Sequence, residues 1–233
     1  MTDEVLVESD GPVRVVTINR PAKRNALHIQ LRRALATAFA RLGTDPDVGV
    51  VVLAGAGSAF CSGMDTTQFG GDDDNRRALF ESSYGLFEAL RTLPKPVIAA
   101  VNGPALAAGF ALAAFADIRI AGPAATFGMP EVSLGFASSW ATLARVLPDQ
   151  LARRMAFTGE TIDAATALEW GLVMEVAPDP LARARALAGV MAANPVPGLE
   201  GTKRLMVESA DPALRAAWET EMRIFHTSLF RKR

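Results

Sequence analysis

Two glycine-bearing turns carry the chemistry that can be read directly from the residues. Ser62-Gly63-Met64-Asp65 follows an apolar run, and Gly103 to Gly109 leads from a second apolar run into a helical pattern. The start of a helix presents backbone N–H groups without intrahelical partners, at the positive end of the helix dipole. Two such groups from different turns, brought together, make an oxyanion hole. Each donor aimed at a developing negative oxygen is worth about 3–4 kcal/mol in the transition state. An enolate forming on a carbonyl compound is a fitting recipient, and the small Ala107 and Ala108 would let a ligand reach the backbone. The residues alone also permit a plainer reading, in which both turns are tight connections.

Other chemistries lack their residues. The chain has no G-x-x-x-x-G-K-[ST] phosphate loop, no H-E-x-x-H, and no G-x-G-x-x-G between a strand and a helix. A nucleophilic triad would need His28 or His226; the first lies on an apolar helix and the second near the end of the chain, so both read as structural or surface histidines. One cysteine, Cys61, rules out an internal disulfide, and with two histidines makes a zinc site improbable. A net charge of −1 argues against nucleic-acid and polybasic membrane partners. Val97 to Ala116 is long enough to raise the question of a membrane span, but Asn102-Gly103-Pro104 breaks it. The opening MTDEVLVESDG has acids where a signal peptide needs bases, so a cytoplasmic protein is expected.

The elements that must hold these turns alternate. VRVVTINR reads as a strand, and NALHIQLRRALATAFARLG as a helix with Leu27, Leu31, Leu35, Phe39 and Leu42 on one stripe and Arg32, Arg33 and Arg41 off it. VGVVVLAG is a continuous apolar run, expected of a strand covered on both faces. TTQFGGDDDNRR reads as a mobile loop. A helix over 78–92, a strand over 97–101, a helix over 107–115, a strand at ADIRIAG, and strand and loop at ATFGMPEVSLGF follow. The pattern predicts an α/β fold with helices outside the sheet. Helices dominate thereafter, over 140–158, 163–170, 181–193, 198–208 and 211–230. The last aligns Leu214, Trp218, Met222, Phe225 and Leu229, so it must pack on its own chain or on a neighbouring subunit.

At this point the residues resemble the crotonase (enoyl-CoA hydratase/isomerase) superfamily. NRPAKRNAL (19–27) is similar to its coenzyme A-binding loop, and AFCSGMD (59–65) to its first oxyanion segment. KPVIAAVNGPALAAGFALAAFADIRIA is similar to the second oxyanion segment, ATFGMPEVSLGF to the active-site strand and loop, and MAFTGETIDAATALEWGLVMEV to the helical segment that follows. The order and the coverage of nearly the whole chain make the set specific. The resemblance implies a crotonase-like spiral of ββα units over residues 1–193, and over 194–233 a helical region that builds homotrimers or hexamers. It implies an acyl-CoA thioester as substrate, coenzyme A being part of that substrate, with no tightly bound cofactor. The oxyanion donors would be the N–H groups of Met64 and Ala108, the second at a position where the family often has glycine. Adenine and phosphate contacts would fall near Ala22, Lys23, Arg24 and Ser62, although Lys23 and Arg24 also suit a solvated loop.

One acid is missing. Hydratases of the family carry a glutamate in a pattern like G-G-G-C-E-L; here Ala107-Ala108-Gly109-Phe110-Ala111-Leu112 puts alanine at that place. The second family glutamate matches Glu131 in MPEVSLG. Hydration calls for water activation and a proton delivered to carbon, which suits two groups, whereas moving a double bond from β,γ to α,β needs one base that returns its proton. The resemblance therefore implies an enoyl-CoA isomerase working through Glu131. Hydration in fatty-acid β-oxidation and a catalytically silent acyl-CoA-binding protein are the alternatives. Phe110, Ala111 and Trp140 are expected to make an apolar pocket that raises the Glu131 pKa. Asp72, Asp73 and Asp74, on the expected mobile loop, are the available substitute acids.

Overall fold

The structure is a computed structural model, and it describes residues 3–209 and 212–230. Strands β1 (Val5–Asp10) and β2 (Val13–Ile18) form an antiparallel hairpin. Strands β3 (Val50–Gly55), β4 (Val97–Val101), β6 (Ile118–Ala121) and β9 (Glu175–Val176) extend it in parallel, in the order β1-β2-β3-β4-β6-β9. Helices α1 (Ile29–Thr44), α2 (Asp73–Arg91) and α3 (Ala108–Phe115) make the crossovers. A second sheet joins β5 (Ala105–Leu106), β7 (Thr126–Gly128) and β8 (Thr161–Asp163).

The continuous apolar strands are buried on both faces, and their period of two decides which core each residue joins. Val51, Leu53, Val97, Ala99 and Val101 point into the large core with α1 to α3. Val50, Val52, Ala54, Ile98 and Ala100 point the other way, into a smaller core closed by α7 (Pro180–Ala192). Ion pairs fasten α8 (Val196–Glu208) to this frame: Lys203 reaches both oxygens of Asp117 at 2.5 and 2.7 Å, and Lys95 pairs with Glu200.

Several elements depart from expectation for local reasons. The first helix starts at Ile29 rather than at Asn25, because the Asn25 side chain is drawn into the core by the Ala56, Ala59 and Phe60 carbonyls. His28 instead caps α1, its Nδ1 accepting the Leu31 N–H at 3.0 Å. Arg32 is fully buried, with Nε on Ser82 Oγ and Nη1 on Leu27 O. The acidic run is not a loop: Asp72 caps α2 by accepting the Asn75 N–H, and Asp73 and Asp74 occupy its first turn, where the dipole favours acids. The helix expected over 140–158 is two, α4 (Trp140–Val146) and α5 (Asp149–Thr158), because Pro148 forces Leu147 to be extended. α6 (Ala164–Glu169) precedes β9.

The terminal helix α9 (Pro212–Phe230) packs on α2 and α4 of its own chain. Trp218 is buried there against the Tyr84 ring, and Met222 packs on the same core. The side chains of Leu214, Phe225, His226 and Leu229 lie outside the described residues. No described helix is long and apolar enough to cross a membrane.

Candidate active site

Three parallel segments deliver the site. The middle one is β5. On one side Cys61 pairs with Ala105 in a parallel bridge, through Cys61 N–H to Pro104 O and Leu106 N–H to Cys61 O, each 3.0 Å. On the other side Leu106 stands opposite Gly128 of β7, and Ala107 N–H donates to Gly128 O at 2.9 Å. Segments that run the same way end on the same side, so Met64, Ala108 and Glu131 emerge together and line one cavity of about 790 Å³.

The two turns are locked at close range. Gly63 has φ 104°, and a Cβ built on it would lie 3.0 Å from the Ala107 Cβ and 3.7 Å from the Ala108 nitrogen. At Gly109 an added Cβ would collide with the Cys61 carbonyl. Among the described residues neither the Met64 nor the Ala108 N–H donates to a backbone acceptor. The unusual backbone angle sits at Ala107, with φ 52° and ψ −120°, while Ala108 itself opens the helix. Such a conformation costs a non-glycine residue about 1–3 kcal/mol. Replacing Ala107 by Gly should therefore raise stability by about 1 kcal/mol after the entropy of the more flexible unfolded chain is subtracted, or about 2–4 °C in Tm. A thermal melt checks this; a lowered Tm would mean that the alanine methyl contributes more by packing than its backbone costs.

Glu131 lies in a 3-10 turn, Pro130–Leu134, directly after β7. Its own backbone N–H serves its carboxyl group, while the buried Oε2 has no partner among the described residues. Burial, helped by the charge of Glu221, pushes the group up to about 7. A carboxyl at that pKa can both take and return a proton near neutrality.

The wall is apolar, built from Phe87, Ala111, Phe115, Trp140, Trp218 and Met222 among others. Phe110 is not part of it: one position along α3 turns a side chain by about 100°, and Phe110 is buried in the main core. Three arginines stand against aromatic residues of this wall. Arg91 lies 5.9 Å from the Trp218 ring centroid, Arg145 5.8 Å from Phe115, and Arg153 5.0 Å from Trp140.

Ala22, Lys23 and Arg24 form an exposed turn that does not line the cavity. It is joined to the site through Ser62, a lining residue whose N–H donates to Arg24 O at 3.0 Å. Arg24 and Asn25 both adopt positive φ, and the buried Asn25 side chain fixes that bend. Among the described residues no group of His, Cys, Asp and Glu could hold a metal ion.

The site contains a carboxylate that the sequence reading did not supply. Glu221 of α9 lines the cavity, accepting from Ser139 Oγ at 2.7 Å and from the Ala141 N–H. Burial pushes it also to about 7. Asp72, Asp73 and Asp74 do not line the cavity, being tied up at the start of α2. A signal for Glu221 existed in the stripe of α9, since residue 221 follows Trp218 by three and so borders the buried face.

Two glycine-locked turns at the ends of parallel segments, lining one cavity with a buried glutamate on this pair of sheets, fit the crotonase fold. A solved enoyl-CoA hydratase/isomerase from Mycobacterium paratuberculosis superposes with a TM-score of 0.93 at 32% identity, covering 100% of this chain and 96% of that one. A family model for enoyl-CoA hydratase/isomerase matches residues 8–232, and the chain belongs to that family. Among curated relatives, enoyl-CoA hydratase EchA19 of Mycobacterium tuberculosis is 41% identical over 71% of this chain and 65% of its own length. The 2,3-dehydroadipyl-CoA hydratase of Escherichia coli is 35% identical over 95% of this chain and 89% of its own.

Proposed function

We propose that the protein isomerises an enoyl-CoA thioester, moving its double bond from β,γ to α,β. The thioester oxygen accepts from the N–H groups of Met64 and Ala108. Glu131 removes a proton from the α-carbon, the enolate rests in the oxyanion hole, and the same carboxyl returns the proton to the γ-carbon. The carrying observation is Glu131 itself, which lies in the cavity with the two turns and has one oxygen unpartnered among the described residues. Alanine at 111 leaves the helix side without an acid, and both oxygens of Glu221 already accept hydrogen bonds from the protein. The exposed turn at Ala22, Lys23 and Arg24, joined to Ser62, suits the adenine and phosphates of coenzyme A. Exposed apolar side chains such as Phe157, Val190 and Leu205 suit a chain that assembles into trimers or hexamers.

Hydration is the second reading, and the second carboxyl in the cavity is the observation that favours it. The two readings separate when the protein is offered 3-enoyl-CoA and 2-enoyl-CoA in parallel. Faster conversion of the 3-enoyl substrate supports isomerisation, and faster water addition to the 2-enoyl substrate supports hydration. Binding of both without turnover would make the protein a silent acyl-CoA binder.

A further inference from the structure

Among the described residues, Glu131 and Glu221 are the titratable groups of the cavity wall. They arrive from unrelated parts of the chain, one from the turn after β7 and the other from the last helix. We propose that Glu221 is a positioning residue that acts on Glu131 as a fixed neighbouring negative charge, strengthening it as a base from the C-terminal side of the site. The inference rests on the proton-transfer reading above.

The hydrogen bonds assign different roles to the two carboxyls. Glu221 accepts from a hydroxyl and from a backbone amide at the start of α4, and Ser139 is itself held by Thr142 at 2.6 Å. Donors aimed at a carboxylate favour its ionised form, so Glu221 takes the first negative charge of the pair. Glu131 has only its own amide as donor, and its Oε2 is left without a partner among the described residues. A charge already on Glu221 makes the second ionisation harder. Glu131 then holds a captured proton more firmly and removes one from carbon more readily.

Among the described residues no cation lines the cavity. Arg91 from α2, Arg145 from α4 and Arg153 from α5 each lie against a ring of the wall. Arg91 is paired with Glu88, and Arg153 with Asp149. On α9 itself, Arg215, Glu219 and Arg223 are exposed. Ala111 faces the same cavity with no charge to offer, so Glu221 is the described group that can act on Glu131 in this way.

The test compares wild type with Glu221→Gln, which keeps an oxygen acceptor for α4 while removing the charge. Without the charge Glu131 ionises more easily. The acidic limb of the kcat/KM profile for 3-enoyl-CoA should move to lower pH by about 0.5–2 units, the size of shift that a unit charge within the same cavity gives. The plateau should fall several-fold with KM nearly unchanged, because the base is weaker. Glu221→Asp, which restores a charge, should return the limb part of the way. Carboxyl carbon-13 titration of both glutamates in the unsubstituted protein needs neither turnover nor a variant that folds, and it should show two coupled steps. Coupled titration with no turnover of any enoyl-CoA would leave this inference standing and overturn the proposed reaction. Independent titrations, or a lower plateau with an unmoved limb, would overturn the inference and leave Glu221 a packing residue. Loss of water addition alone, with isomerisation intact, would overturn it by making Glu221 a catalytic group.

Discussion

Glu131→Gln should lower kcat/KM for 3-enoyl-CoA by about 10²–10⁴-fold, the usual contribution of a positioned acid–base group. The effect should appear in kcat, because the amide is nearly the same size and leaves the apolar wall and the two turns in place. The folded protein should not suffer. Burial holds the Glu131 pKa at about 7, above its ordinary value near 4.5, so the native state keeps a proton that the unfolded chain has lost. For a group raised in this way, stability is fully present below the unfolded pKa and declines as pH climbs from about 4.5 to about 7. Glutamine removes that decline, so above pH 7 the variant should melt at a higher temperature than wild type while being nearly inactive. A variant that keeps wild-type turnover would take Glu131 out of the reaction.

The second large effect is expected at Gly109. A methyl group there would run into the Cys61 carbonyl, which is backbone held at both ends by Pro104 and Leu106 and cannot step aside. Gly109→Ala should cost about 1–3 kcal/mol or more of stability. It should also push the start of α3 away from the 61–64 segment. Displacing the Ala108 N–H by this route should reduce kcat by about 10²–10³-fold in whatever protein still folds. Gly189, in the middle of α7 with nothing within 4 Å of an added Cβ, is the matching control. Alanine there should stabilise by about 0.5–1 kcal/mol through helix propensity alone. Equal behaviour of the two variants in melting and turnover would remove the close approach as an explanation.

Much of the frame was legible because its signals are local. Val97–Val101 is an unbroken apolar run, and the structure makes it a strand with the same bounds. Asn102 to Pro104 ends it as those residues should, and the Leu31, Leu35 and Phe39 stripe lies in the main core. What escaped was decided elsewhere in the chain. The acidic run at 72–74 looks like a solvated loop until Asp72 is matched with the Asn75 amide it caps. Arg32 looks like a surface cation, but α1 is pressed against α2 and its guanidinium finds Ser82 there. The cavity itself was legible only through the resemblance at 59–65, 103–112 and 125–136. Periodicity could not show that these stretches end side by side, because that follows from pairing across β5. Glu221 stands ninety residues from Glu131 and belongs to no motif, so its place in the cavity depends wholly on how α9 folds back.

That fold-back sets an order of events during synthesis. The two turns and Glu131 are made about ninety residues before Glu221, on the wall that also carries Trp218 and Met222. A chain that stops short of α9 would hold Met64, Ala108 and Glu131 beside a trough open to water, without the Trp218 ring and the Glu221 carboxyl that wall it in. The cavity is thus closed on that side only once α9 has been made and has folded back.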